Sequence, residues 1–249
     1  MARAALSGRL TWQLARVVEV RPQTARTKTI LLDAPAWGGH RAGQHVDVRL
    51  TAEDGYQAQR SYSIASAPED EHLALTVEEI DDGEVSPYLT EELRAGDELE
   101  LRGPIGGWFV WEGTEGGPLL LFGGGSGVVP LRAMLRHRAA TADPTPARLV
   151  YSARSLEDVI YRDELREANT GDGVEVHLAL TRSWPEDWTG YRGRVDDALL
   201  DAVTWPASER PAIYVCGPNG FVEAISRQMV ARGHAPERVK TERFGPTSG

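Results

Sequence analysis

Between Glu112 and Gly117 the chain changes its rhythm, and that change limits the folds open to it. Upstream, Leu10 to Val20, Thr27 to Leu32, His45 to Leu50, Arg60 to Ile64, Leu73 to Glu79 and Glu98 to Arg102 are β-branched or alternate apolar with polar residues. Turn residues such as Gly38-Gly39, Asp81-Asp82-Gly83 and Gly96-Asp97 separate them, so the spacing predicts a small antiparallel β-barrel. One helix is predicted there, over about Val85 to Leu93, with Ser86 as its cap and Pro87 in its first turn. Downstream, strands alternate with helices: Leu119 to Phe122 then Pro130 to Arg138, Ala147 to Ser152 then Leu156 to Glu167, Val174 to Leu180, and Ile213 to Cys216 then Phe221 to Arg232. That alternation predicts an α/β domain with an open parallel sheet. The two domains are expected over residues 1–112 and 117–249, joined by the glycine-rich linker 112–117.

Composition narrows the function. The 37 acidic residues outnumber the 27 basic ones by 10, a field that repels polynucleotides and anionic membranes, so neither is an expected partner. No apolar run approaches the length of a membrane span, and residues 1–12 lack the core of a signal peptide, so the expected location is the cytoplasm. Cys216 is the one cysteine, so these 249 residues cannot hold a four-thiolate cluster. The six histidines show no i,i+4 pair, and no metal site is expected.

Five features carry chemistry. Arg60-Ser61-Tyr62-Ser63 ends a strand with a guanidinium fork for a pyrophosphate, a phenol for a ring and ribityl chain, and hydroxyls for ring nitrogens. Gly83-Glu84-Val85-Ser86 is a glycine turn feeding a helix start, able to hold a pyrophosphate from the other side, which favours FAD over FMN. Gly123-Gly124-Gly125-Ser126-Gly127 lies between a strand and a helix, where glycines let a phosphate approach the helix N-terminus. Val128 occupies the last glycine position of a hydrolase elbow around Ser126, which makes that reading weak. Arg154, Thr181 and Arg182 follow successive strands and place cations where a 2′-phosphate would lie, favouring NADPH over NADH. Cys216-Gly217-Pro218 ends the last predicted strand, and the turn is expected to leave the thiol at the ligand crevice.

In this order, and with Gly103-Pro104-Ile105-Gly106, Tyr151 to Arg154 and Glu242-Arg243-Phe244-Gly245, these segments resemble the ferredoxin–NADP reductase superfamily over nearly the whole chain. The resemblance implies a six-stranded FAD-binding barrel followed by a nicotinamide-nucleotide domain, with the flavin ring in the cleft between them. It implies that Arg60, Ser61, Tyr62, Ser63, Val77, Glu78, Gly83, Val85 and Ser86 bind one non-covalent FAD. Gly125, Ser126, Gly127, Arg154, Thr181, Arg182, Cys216 and Gly217 would face NADPH, and Ser63, Cys216 and Glu242 would lie nearest the hydride path. Phe244 would cover part of the ring or simply pack, since the chain does not end on an aromatic residue as some members do.

The expected function is an NADPH-dependent FAD reductase that passes electrons to a separate redox protein such as a ferredoxin, an oxygenase or a metalloenzyme component. A free-flavin reductase and a non-catalytic nucleotide-binding regulator are the alternatives. Arg132, Arg136, His137 and Arg138 are expected to form a solvated helix face, with a docking patch for an acidic partner as the second reading.

Overall fold

The computed structural model describes residues 10–169 and 173–244, so Gly245 of the terminal motif lies outside the described residues. Six antiparallel strands run in the spatial order β4-β3-β6-β1-β2-β5: β1 Trp12–Thr24, β2 Thr27–Asp33, β3 His45–Thr51, β4 Gln57–Ser63, β5 Leu73–Glu78 and β6 Glu98–Ile105. The Ile64↔Leu75 bridge and the Ala65 N–H donating to the Ala74 carbonyl at 2.7 Å join the two edge strands, so the sheet closes on itself. Ile30, Leu32, Val46, Val48, Leu75, Leu99 and Leu101 fill its interior, the inward half of each alternating strand.

The second sheet is wholly parallel, in the order β10-β9-β8-β7-β11-β12. Its strands are β7 Leu119–Gly124, β8 Ala147–Ala153, β9 Val174–Leu180, β10 Tyr191–Arg192, β11 Ala212–Gly217 and β12 Val239–Arg243. Helices α1 Val128–Ala140 and α2 Arg162–Ala168 pack on the face toward the barrel, and α3 Asp197–Val203 and α4 Asn219–Ala231 pack on the other. Order reverses between β7 and β11, and the crevice at the carboxyl ends of such neighbours is where open α/β sheets take ligands.

Three local expectations need correction. The predicted helix from Leu156 begins only at Arg162, because Val159, Ile160 and Tyr161 turn into the core. Tyr161 takes φ +59°, and the Ile160 N–H donates to the buried Tyr151 hydroxyl at 3.2 Å. In the barrel, Ser86 caps nothing. Its hydroxyl accepts the Ile80 N–H at 3.1 Å, closing the turn before the helical segment, and the turns from Tyr88 to Glu92 have π geometry. Third, the Arg132 to Arg138 group is not a solvated face. Arg132 donates to the Ala65 carbonyl at 2.8 Å and grips both Glu164 oxygens, while its guanidinium lies 4.5 Å from the Tyr161 ring centre. Arg136 forks Asp70 at 2.6 and 3.1 Å, His137 meets Glu69 at 2.8 Å, and Arg138 is buried against the Thr145 carbonyl.

These contacts bind barrel to sheet. A buried hydroxyl chain from Thr29 through Thr76 to Tyr161 adds to them, and burial pushes the Tyr161 phenol up to about 12. Phe109 and Trp111 pack among Leu121, Leu131 and Tyr214 in the core of the second sheet, and the Tyr214 hydroxyl donates to the Val110 carbonyl at 2.7 Å. The cleft between the domains is therefore held in one geometry by residues that lie far apart in the chain.

Candidate active site

Strand register assembles the cleft. On the barrel side Ser63 stands opposite His45 across the β3–β4 pair, and on the sheet side Cys216 stands beside Glu242 across the β11–β12 pair. His45 Nδ1 and Glu242 Oε1 meet at 3.4 Å, which brings the two pairs together. Glu242 Oε2 is buried and has no hydrogen-bond partner among the described residues. An orphaned carboxylate oxygen in a cleft is costly unless a ligand supplies a donor. Sequence reasoning missed His45; its place opposite the Arg60 to Ser63 strand was the available signal.

Tyr62 and Arg60 share the other face of β4. Tyr62 packs against the barrel core, burial pushes its phenol pKa up, and its hydroxyl bonds to no described residue. The Arg60 guanidinium pairs with Glu84 at 2.7 Å and with the Gln59 carbonyl at 2.7 Å, and both charged side chains are about half exposed. Tyr56 donates to the same Glu84 carboxylate at 2.6 Å. A pyrophosphate at Arg60 would have to displace or share with Glu84.

Other expected flavin contacts fall elsewhere. Ser61 donates to buried Asp47 at 2.7 Å, and Arg102 forks the same carboxylate. Burial pushes the Asp47 carboxyl up, but Ser61 and Arg102 outweigh it and hold the group below its ordinary value. Val77 and Val85 point into the barrel core, so only their backbones can face a ligand. Gly83 packs against the Ser86 hydroxyl, where a Cβ would come within 2.7 Å of Oγ. Glu78 ends β5 beside the glycine loop, its Oε2 3.8 Å from where a Cβ on Gly125 would stand.

That loop follows β7 as a tight turn, Gly125–Gly127, leading directly into α1. Gly125 takes φ +55°, and a Cβ on Gly127 would collide with the Cys216 carbonyl, so both positions favour glycine. No side chain caps α1, and the half-buried Ser126 hydroxyl bonds to no described residue, leaving the helix N-terminus open to an anion. At the carboxyl ends of β8 and β9, Arg154 and Arg182 lie side by side, the Arg182 N–H donating to the Arg154 carbonyl at 2.9 Å. Both side chains are exposed, and neither guanidinium pairs with any described residue. The Thr181 hydroxyl instead donates to the Ala153 carbonyl at 3.1 Å.

Cys216 departs from the crevice expectation. It is 1% exposed within the core of the sheet, and burial, with the Glu242 charge, pushes its thiol pKa well up. Its neighbour Gly217 packs against Gly124 and the Phe221 ring, and Gly217 O accepts the Phe244 N–H at 3.2 Å. Phe244 itself packs partly buried on the core that joins the domains.

Among the described residues there is no cluster that could hold a metal, and no helix long and apolar enough to cross a membrane. The residues present do fit a flavin and a nicotinamide nucleotide: an orphaned carboxylate oxygen and a free phenol at the cleft, an uncapped helix behind a glycine loop, and two unpaired arginines at the sheet edge.

Comparison with known proteins agrees. Residues 13–110 match the model of an oxidoreductase FAD-binding domain and residues 121–227 that of an oxidoreductase NAD-binding domain. The glycine betaine monooxygenase reductase subunit of Pseudomonas aeruginosa is 32% identical over 95% of the chain and 66% of its own length. The reductase component of a Rhodococcus jostii propane 2-monooxygenase is 28% identical over 92% of the chain and 62% of its own. The chain thus spans roughly two thirds of the length of these curated relatives. An Amycolatopsis cytochrome P450 reductase superposes with a TM-score of 0.83 at 29% identity, covering 98% of the chain and 74% of the reductase. With its barrel, its parallel sheet and both domain models in order, the chain belongs to the ferredoxin–NADP reductase superfamily of flavin- and nicotinamide-dependent oxidoreductases.

Proposed function

We propose that this protein is an FAD-dependent NADPH oxidoreductase that delivers electrons to a separate redox protein, such as a ferredoxin, an oxygenase or another metalloenzyme component. The observation that carries this reading is the cleft itself, where His45, opposite Ser63 on the barrel, meets Glu242 from the sheet. The relatives support the acceptor class, since two are named as reductase parts of monooxygenases. One cysteine cannot ligate an iron–sulfur cluster within these 249 residues, so electrons would leave for another centre.

Bound together, the two cofactors would supply hydride transfer from nicotinamide to flavin. The chain's part is to hold the reacting rings stacked, aligned and dry. Ser63 presents a hydroxyl at the end of β4, Tyr62 supplies an apolar wall with a free phenol, and the Arg60 fork would hold a pyrophosphate in place of, or shared with, Glu84. Glu242 keeps a carboxylate oxygen at the cleft while His45 holds the other. Cys216 stays protonated under the cleft floor and packs rather than reacts. Arg154 and Arg182 have free guanidinium groups for a 2′-phosphate, which is why NADPH is favoured over NADH.

A visible spectrum of the purified protein, taken before and after anaerobic NADPH and then NADH, tests this. Bound flavin that bleaches faster with NADPH is expected. Absence of flavin binding and of NAD(P)H-linked dye reduction would sink the proposal, and faster turnover of added riboflavin or FMN than of any protein acceptor would replace it with a free-flavin reductase.

A further inference from the structure

At the opposite end of the parallel sheet, the start of β11, the α4–β12 connection and the segment before β7 line an open-sided cavity of about 480 Å³. It lies near Ala212, four residues below Cys216, roughly 13 Å from the carboxyl edge along the strand. No residue of the candidate active site lines it. In size it falls within the range of small-molecule sites.

Its charged lining is unusual for a chain with a net charge of −10. Arg210, Arg238 and Lys240 stand against Glu115 and Glu237. Lys240 faces Glu115 Oε1 at 3.7 Å, and Glu115 Oε2 is closed off from solvent. Arg238 donates to three carbonyls, those of Pro211, Glu115 and Gly116, and meets no carboxylate among the described residues. Arg210 is exposed, and its guanidinium has no described partner. Glu237 is also exposed and unpaired.

His234 adds an independent observation. It is 5% exposed and lines the cavity, yet its ring bonds to no described residue. Burial lowers its pKa, so at neutral pH the ring carries one N–H donor and no charge. Its ring is set in the cavity wall with no protein partner for its nitrogens among the described residues, so a molecule seated there can meet it. Arg210 also holds φ +53°, a conformation glycine adopts without strain, with its carbonyl packed against Gly117.

We propose that this cavity binds a small phosphorylated molecule, whose phosphate is gripped by the Arg210 guanidinium and the His234 N–H beside the uncompensated charge of Arg238. A free guanidinium fork with a separate neutral donor suits an oxyanion with several acceptor oxygens better than a single-headed carboxylate.

Isothermal titration of the purified full chain with inorganic phosphate, against acetate at matched ionic strength, tests the site. Saturable phosphate binding that acetate does not reproduce is expected. Arg210→Gly suits the local backbone and should weaken it about tenfold or more. Arg210→Lys should retain part of it, and the Arg210-dependent binding should persist in the Arg154→Ala/Arg182→Ala variant. Absence of saturable binding, an equal response to acetate, or binding that fails in the Arg154/Arg182 variant would each overturn the proposal. None of these readouts depends on flavin or NADPH.

Discussion

On the face of the parallel sheet that meets the barrel, Arg132 and Arg136 are matched to carboxylates and carbonyls on other segments, whereas at the carboxyl edge Arg154 and Arg182 project without a described partner. All four are arginines of one domain in an acidic chain, and sequence alone makes them look alike. Their company separates them. A guanidinium with every fork answered holds a fold together, and one left open beside a ligand crevice is available to an anion.

The difference can be broken most sharply at Arg132, which is 12% exposed on its side chain. Arg132→Ala should cost about 3 kcal/mol in denaturant unfolding, because it strands Glu164 and the Ala65 carbonyl at once. NADPH preference in the surviving folded protein should not move. The Arg154→Ala/Arg182→Ala variant should do the reverse: kcat/KM for NADPH falling about a hundredfold, NADH little affected and the unfolding midpoint unchanged. Equal losses with both nucleotides would show that the edge arginines do not read a 2′-phosphate.

Arg60 lies between these extremes, paired yet half exposed. Arg60→Ala should weaken FAD retention about tenfold, measured by flavin release during dialysis, while Glu84→Gln should tighten it by freeing the fork. If Glu84→Gln also loosens FAD, the carboxylate is orienting Arg60 rather than competing for it.

The smallest effect concerns acid. Burial pushes the Asp70 carboxyl up, but Arg136 and the Ala67 N–H outweigh that and hold it below its ordinary value. The stabilisation from this group is therefore complete above the usual carboxylate range and disappears as pH falls through the lower folded value. Asp70→Asn should lose about 1 kcal/mol at neutral pH and show a shallower loss of stability on acidification.

Most of the scaffold was legible because it is written locally: alternation marks the barrel strands, and apolar runs followed by helical spacing mark the sheet. The glycine loop was legible too, since strand, glycines and helix are contiguous. Pairings across the chain were not. Arg136 finds Asp70 at a separation of 66 residues and Arg132 finds Ala65 at 67, and no local pattern announces either. Ser86 misled for a related reason: a hydroxyl before a helix can cap it or close the preceding turn, and the Ile80 N–H decided. β12 escaped notice because its five residues alternate too little to stand out, although they carry Glu242 into the cleft.

Cys216, sealed beneath the cleft and kept protonated, turns the folded chain into its own clock. A thiol reagent cannot reach a side chain that is 1% exposed, and the sequence offers it no other target. Each labelling event therefore records a moment when the sheet has opened far enough to release β11. Counted over time, those events measure the lifetime of the closed form.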